Sequence, residues 1–162
     1  MKYLTTKTLS ALQKKEIIAL WNAEFVTTIR MGGVEDLEKY LAGVTNHCHL
    51  FMLDEAGVIK GWFFTFDREG QRWFVMIVSS EFQGKGYGSA LVAKGKEGHS
   101  ELNGWVVDSL DYKIQNGITY RPPLDFYRKN GFEILPDIVQ ETPRLRTIKI
   151  RWTEKPEKID LS

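Results

Sequence analysis

The sequence predicts a mixed α/β domain whose central sheet is mostly antiparallel, contains one parallel strand pair and is flanked by helices. Three observations lead to this fold class. Apolar residues recur at helical spacing near the N-terminus, three strand-like runs then follow one another closely, and a helix separates the last of them from another strand. Short turns join antiparallel strands and a helical crossover joins parallel ones, so one sheet should contain both pairings.

The first half of the chain predicts two helices and then an antiparallel meander. The stretches TLSALQKKEIIALWNAEF and GVEDLEKYLAGV repeat apolar residues at helical spacing, and we expect them to open the domain as helices. From His49 the turn-forming clusters DEAG and DREGQ separate three strand-like runs. A helix from about Gly88 to Lys96 then leads to the strand NGWVVDS, and this succession predicts the parallel crossover.

The remainder of the chain predicts a hairpin, a short helix and two final strands. In DYKIQNGITYR, Asn116-Gly117 lies between two alternating runs, which is typical of a type I′ hairpin. A short helix should begin near Pro122 or Pro123 and end at KNGF, where Gly131 suits a left-handed cap. The runs FEIL and RLRTIKIRW predict the last strand pair, and the basic residues of the second run favour a sheet edge.

Length and composition fit one globular domain. The chain has 162 residues, 43% of them hydrophobic, and contains no linker or internal repeat. We therefore expect residues 1–162 to form one domain, with residues 154–162 as a frayed tail. The formal net charge of +1 argues against a nucleic-acid partner. No apolar run approaches the roughly 20 residues that a membrane-spanning helix requires, so no membrane partner is expected.

The cysteine and histidine content predicts neither a disulfide framework nor a metal site. Cys48 is the single cysteine, and the N-terminal stretch lacks the apolar core of a signal peptide, so a cytoplasmic location is expected. His47 and His49 flank Cys48, but a metal site needs a third ligand. The remaining histidine, His99, lies beyond the glycine-rich helix, and we predict no metal.

The stretch SSEFQGKGYGSALVAKGK contains glycines at alternate positions between a strand and a helix. The main-chain N–H groups around Gly84, Gly86 and Gly88 can converge on one point at a helix N-terminus, an arrangement that attracts phosphate. A plain structural turn is the alternative. A Rossmann fingerprint would need glycine in place of Ser89, and a Walker loop would need serine or threonine after Lys85.

Two motifs carry a resemblance to a known family. Gln83, Gly86 and Gly88 satisfy the form Gln/Arg-x-x-Gly-x-Gly/Ala within VSSEFQGKGYGSALV, and PLDFYRKNGFEIL follows later in the chain. In both motifs and in the order of its elements, the sequence resembles the GNAT superfamily of acyl-CoA-dependent N-acetyltransferases. The resemblance implies the GNAT fold, acetyl-CoA as co-substrate without a metal, and direct transfer of an acetyl group to a primary amine in a ternary complex.

The resemblance also implies which residues form the site. Met76, Ile77 and Val78, at the end of the strand before the loop, would pair with the pantetheine arm and direct a donor at the thioester carbonyl. Tyr127 would be the general acid, because a phenol with a pKa of about 10 stays protonated at neutral pH. The pyrophosphate would be held by the main-chain N–H groups of Gln83, Gly84, Lys85, Gly86, Tyr87 and Gly88.

The sequence departs from the family pattern in ways that leave questions open. Tyr120 stands where many members have a cofactor-binding asparagine, and the strand RWFVMIV has no acidic residue to act as base. Glu81 and Asp108 remain candidates, and no base is assigned. The hairpin Asp111–Arg121 lengthens a connection that is usually short, and it is either a wall of the acceptor site or a decorative insertion.

Other functions remain open at this level. A non-catalytic acyl-CoA sensor would keep the phosphate cradle without turnover, and a protein-interaction domain would leave the glycine loop empty. The sequence also does not identify the acceptor, which is a small-molecule or peptide amine, or decide between a monomer and a homodimer.

Overall fold

A single sheet of seven strands forms the centre of the computed structural model, which describes residues 1–155. Residues 156–162, most of the predicted tail, lie outside the described residues. The helices are α1 (Ala11–Glu24), α2 (Val34–Ala42), α3 (Tyr87–Lys96) and α4 (Leu124–Lys129). The strands are β1 (Lys2–Thr6), β2 (Thr45–Leu53), β3 (Ile59–Arg68), β4 (Gln71–Val78), β5 (Glu101–Val106), β6 (Glu133–Glu141) and β7 (Arg146–Thr153).

The strand order confirms the predicted mixed sheet. It is β1-β2-β3-β4-β5-β7-β6, and all neighbours pair antiparallel except β4 and β5, which are parallel. The predicted meander is β2, β3 and β4, and the crossover that makes the parallel pair runs through α3. The crossover therefore places the N-terminus of α3 at the end of β4.

Helices cover both faces of the sheet. On one face α1 and α2 pack over β2 to β4, around buried Trp21, Phe51 and Trp62. On the other face the core surrounds Leu91 of α3 and Tyr127 of α4. Glycine allows α3 to lie close to the sheet, because a Cβ added at Gly95 would stand 2.5 Å from the Phe63 ring.

Two expectations about the strands are wrong. The domain opens with β1 rather than with a helix, and β1 pairs with β2, with Tyr3 opposite Met52. This strand is short and half-exposed, so its sequence KYLTT carries little alternation. The basic strand β7 is interior, because β6 forms the edge beyond it. Lys149 of β7 is buried, with its ammonium 3.3 Å from Gln71 Oε1 and 5.2 Å from the centre of the Trp73 ring.

The predicted turn residues adopt the expected backbone conformations. Gly131, after α4, has φ +88°, as a left-handed helix cap requires. Asn116 and Gly117 have positive φ, +65° and +72°, but the bond from the Ile114 N–H to the Ile118 carbonyl leaves three residues, 115–117, in the loop, so the predicted two-residue type I′ turn is wrong. The hairpin itself is small, with a single bridge between Lys113 and Thr119.

Within residues 1–155, no helix combines the length and apolarity needed to cross a bilayer.

Candidate active site

The parallel strands β4 and β5 are joined at one end only. Trp73 pairs with Asn103, and the Asn103 side chain donates to the Arg72 carbonyl at 3.1 Å. Beyond this point the facing edges of the two strands make no further pairs within the described chain. Strands that start paired and then part leave a slot with free main-chain donors and acceptors along its walls.

The main-chain groups of β4 that face this slot follow from strand geometry. Ser79, directly after β4, donates its N–H to the carbonyl of Lys60 in β3 at 2.8 Å. Because successive residues point their main-chain groups to opposite edges, Ile77 faces β3 as well. Met76 therefore presents its N–H and C=O groups to the slot, whereas Val78 presents its N–H and has its C=O bonded to the Gln83 side chain at 2.8 Å.

The glycines at the end of the slot have two different roles. Gly84 and Gly86 have φ +73° and +86°, and a Cβ added at either would meet no atom within 4 Å. These two positions combine a left-handed backbone with open space, and Gly86 is the residue from which α3 begins. Gly88 serves packing instead, since its Cβ would lie 3.2 Å from the Phe126 ring of α4.

A hydrogen-bond network ties the loop to α1. The Gln83 side chain donates to the Val78 carbonyl at 2.8 Å and to Glu24 Oε2 at 3.4 Å. The other oxygen of the Glu24 carboxylate accepts the N–H of Ser80 at 2.9 Å. The end of α1, the end of β4 and the start of the glycine loop are therefore held together at one point.

The slot opens into a cavity of about 1090 Å³, slightly above the usual range for ligand pockets. Lys85 and Tyr87 do not line it. The Lys85 ammonium lies 6.0 Å from the Phe82 ring centre, and the Tyr87 ring packs edge-on against the same phenylalanine at 5.5 Å. The predicted site residues that line the cavity are Met76, Ile77, Val78, Gln83, Gly84, Gly86, Gly88 and Tyr127.

Tyr127 lies in the wall of the cavity as a neutral phenol. Its ring packs edge-on against Phe74 at 5.9 Å and against Phe132 at 5.3 Å. Burial, and to a lesser extent the neighbouring Tyr120, raises the pKa of Tyr127 well above its usual range. Tyr120 also lines the cavity, and burial raises its pKa to about 12. The wall therefore carries two phenols that remain protonated at neutral pH.

The carboxylates suggested by the sequence lie elsewhere. Glu81 forms an ion pair with Lys60 at 3.0 Å, Asp108 forms one with Arg146 at 3.2 Å, and neither lines the cavity. Glu24 does line it, and sequence reasoning missed this residue. Its partner Ser80 lies 56 positions further along the chain, so no local pattern could connect the two.

The histidines are engaged in local contacts. His47 Nε2 lies 2.9 Å from the Val44 carbonyl oxygen, and His49 Nδ1 accepts the indole N–H of Trp62 at 3.1 Å. Across residues 1–155, no three His, Cys, Asp or Glu side chains come together in a group that could hold a metal ion.

Comparison with known proteins identifies the family. The family model described as "Acetyltransferase (GNAT) domain" matches residues 46–134, more than half of the chain. This chain belongs to the GNAT acetyltransferase family. The matched segment of this GNAT domain contains β4, the glycine loop, α3, β5 and α4, which together build the slot and most of its walls. No curated protein sequence matches the chain.

Solved GNAT structures share the fold along nearly the whole chain. Escherichia coli ElaA superposes with a TM-score of 0.67 at 14% identity, covering 94% of this chain and 99% of that one. The Sinorhizobium meliloti GNAT phosphinothricin acetyltransferase, solved in complex with AcCoA, gives 0.61 at 14% identity, covering 99% and 97%. The ribosomal-protein-S18-alanine N-acetyltransferase of Escherichia coli gives 0.61 at 12% identity, covering 99% of each chain. At these identities the likeness establishes the GNAT fold.

Proposed function

We propose that this GNAT protein moves the acetyl group of acetyl-CoA directly to a primary amine while both substrates are bound. The observation that carries the proposal is the unpaired edge of β4, which runs from the glycine loop into the cavity. Coenzyme A combines an anionic pyrophosphate with an amide-containing arm, so it needs an anion cradle followed by a free strand edge. The glycine loop and the edge of β4 would supply the two in that order.

The residues of the slot suit the parts of this cofactor. Gly84 and Gly86 leave open space above the main chain at the N-terminus of α3, where N–H groups favour an anion. Lys85, Tyr87 and Gly88 would contribute main-chain N–H groups to the same cradle, whereas the Gln83 N–H already donates to the Ser80 carbonyl at 3.3 Å. Met76 and Val78 would pair with the pantetheine amides, and Ile77 would hold them in place through its bonds to β3.

Tyr127 would supply the proton that the departing thiolate needs. Acetyl-CoA provides a thioester as the acyl donor, and its reaction with an amine releases a thiolate. The buried phenol of Tyr127 keeps its proton at neutral pH, because its pKa is raised. General-acid catalysis first requires an acid that is protonated at the working pH, and the Tyr127 phenol in the cavity wall meets this condition.

Glu24 is our candidate for the group that receives the amine proton. Among the described residues, two carboxylates line the cavity, those of Glu24 and Asp36. Asp36 accepts the Gly32 N–H at 2.6 Å, at the start of α2. Glu24 instead lies at the mouth of the slot, bonded to Ser80 and Gln83, and would take the amine proton through water.

The names of the structural neighbours bear on the class of amine acceptor. Two of the three neighbours named above are acetyltransferases for phosphinothricin and for a ribosomal-protein alanine. Both a small-molecule and a peptide amine are therefore consistent with this fold. A non-catalytic acyl-CoA-binding module is the alternative in which the cradle binds but no amine is acetylated.

Isothermal titration tests the proposal before any acceptor is known. Acetyl-CoA, coenzyme A and 3′-dephospho-coenzyme A are titrated into the protein, and a panel of amines is then screened for thiol release. Micromolar binding followed by amine-dependent thiol release supports the enzyme. Binding without release by any amine supports the non-catalytic module, and no binding by a folded sample rejects both.

A further inference from the structure

Residues 111–121, here called the strap, are fastened across the cavity at two places. The Lys113 carbonyl accepts the N–H of Thr27, in the connection between α1 and α2, at 2.8 Å. On the other side, the Tyr112 hydroxyl accepts the N–H of Arg146, the first residue of β7, at 2.9 Å. The strap therefore bridges from the helical layer to the far half of the sheet.

The strap presents apolar side chains to the cavity. Ile114 and Ile118 both belong to the lining, although 57% of the surface of Ile118 is exposed. Leu110, just before the strap, is 65% exposed but does not line the cavity. Other elements add apolar residues to the lining, among them Trp21 of α1, Ile29 of the segment after it, Trp105 of β5 and Leu145 of the β6–β7 turn.

The charges around the cavity favour an acceptor with a single amine. Arg30, Lys39 and Arg144 line the cavity and form no salt bridge within residues 1–155. The two lining carboxylates, Glu24 and Asp36, already accept main-chain N–H groups. A second ammonium on the acceptor would therefore meet unpaired positive charge, which opposes its binding.

We propose that the acceptor is a compact monoamine with an aliphatic or aromatic body, enclosed beneath the strap, and not a polypeptide or a polyamine. This inference rests on the proposed acetyl transfer. An apolar body would cover Ile114 and Ile118 and remove their surface from water, which is favourable. A polypeptide needs an open groove for its neighbouring residues, and here both sides of the opening are hydrogen-bonded to the strap, one through the Lys113 carbonyl and the other through the Tyr112 hydroxyl.

The first experiment compares acceptor classes on the intact protein. Coenzyme A-saturated protein is titrated with 2-phenylethylamine, tryptamine, isoamylamine, spermidine and an alanine-initiated hexapeptide, and thiol release from acetyl-CoA is measured with each. We expect kcat/KM for the best monoamine to exceed that for spermidine and the hexapeptide by at least about tenfold. An equal or better hexapeptide or spermidine overturns the inference and leaves acetyl transfer standing.

Binding separates the inference from the proposed function. A monoamine that binds beneath the strap without thiol release supports the inference and counts against catalysis. If no monoamine binds to coenzyme A-loaded protein, the inference is overturned whatever the hexapeptide does.

Matched variants test the strap directly. Ile118→Ala should lower kcat/KM for the best monoamine by about tenfold, mainly through KM, because it removes apolar contact in the cavity. Leu110→Ala removes an equally exposed apolar side chain outside the cavity and should stay within about twofold of the wild type. Equal effects of the two variants would overturn the assignment of the strap as an acceptor wall.

Tyr112→Phe tests whether the strap excludes polypeptides. The change removes the hydroxyl that accepts the Arg146 N–H and leaves the ring in place. Because one fastening is lost, we expect the ratio of hexapeptide to monoamine kcat/KM to rise by about threefold or more. An unchanged ratio in a folded variant would show that the strap is not the barrier.

Discussion

The Gln83 side chain donates to the main-chain carbonyl of Val78, with 2.8 Å between the two atoms. Val78 is the last residue of β4, and Gln83 begins the glycine loop. The bond occupies a carbonyl that would otherwise face the slot unpaired, and it closes the turn between strand and loop. The first position of the glycine motif therefore fixes the geometry of the glycine loop through its side chain.

The cradle can be tested with two glycines of similar backbone conformation. Gly86 and Gly57 have φ +86° and +79°, and a Cβ added at either would meet nothing within 4 Å. Gly86→Ala and Gly57→Ala should therefore lower the free energy of unfolding by a similar amount, about 1–2 kcal/mol. Only Gly86→Ala should weaken acetyl-CoA binding, by about tenfold, because its methyl group enters the proposed pyrophosphate cradle. Denaturation and isothermal titration measure the two effects, and unchanged affinity would remove Gly86 from the cradle.

Tyr127→Phe tests the proposed general acid. The variant keeps the ring that packs against Phe74 and Phe132 but cannot donate a proton. We expect kcat to fall by about 100-fold or more while the Kd of acetyl-CoA changes little. Tyr3→Phe, on β1 and outside the cavity, is the control and should leave both quantities unaltered. An unchanged single-turnover rate for Tyr127→Phe would exclude the phenol from the chemistry.

Local sequence signals predicted most of the fold, because periodicity and turn residues act over short distances. The meander, the helix after the glycine loop and the cap at Gly131 all follow from spacing within a few residues. The strand β1 was missed because it is short, and its pairing with β2, which fixes it, lies far along the chain. The interior position of β7 depends on strand order, which composition does not encode.

The site residues also fall into two groups, those that a local motif predicts and those that only long-range contacts bring to the cavity. Gln83, Gly86 and Gly88 belong to one local motif, so the sequence was enough to select them. Glu24 is held at the cavity by its bond to Ser80. The strap is held there by the bond between Lys113 and Thr27. Such long-range contacts form when the packed helices meet the sheet, and a single sequence carries no local signal for them.

Glu24→Gln tests the proposed proton acceptor. Glutamine can keep an oxygen acceptor for the Ser80 N–H but cannot take up a proton at neutral pH. We expect kcat/KM to fall by at least about tenfold. Glu16→Gln is a matched control, because Glu16 also lies on α1 and accepts a main-chain N–H, that of Ile59, at 2.8 Å. If kcat/KM falls equally in both variants, Glu24 has only a structural role.

The last prediction concerns stability in acid and depends on His49. This side chain is 1% exposed, stacks on Phe64 at 4.6 Å and accepts the Trp62 indole N–H on Nδ1. Burial, with a smaller contribution from His47, lowers the pKa of His49 from 6.5 to about 4. The folded protein therefore binds fewer protons than the unfolded chain between these values, so the His49 contribution to stability is complete above pH 6.5 and is lost as the pH falls toward 4.

Chemical denaturation at pH values near 7.5 and 4.5 measures this loss, which should reach about 2–3 kcal/mol for His49. His49→Gln cannot titrate but retains an acceptor for the Trp62 N–H, so the variant should start less stable and lose less stability on acidification. His47→Gln leaves the bond between Trp62 and His49 intact and should keep most of the acid loss. If His49→Gln and the wild type lose the same free energy of unfolding between the two pH values, another group must be responsible for the acid sensitivity.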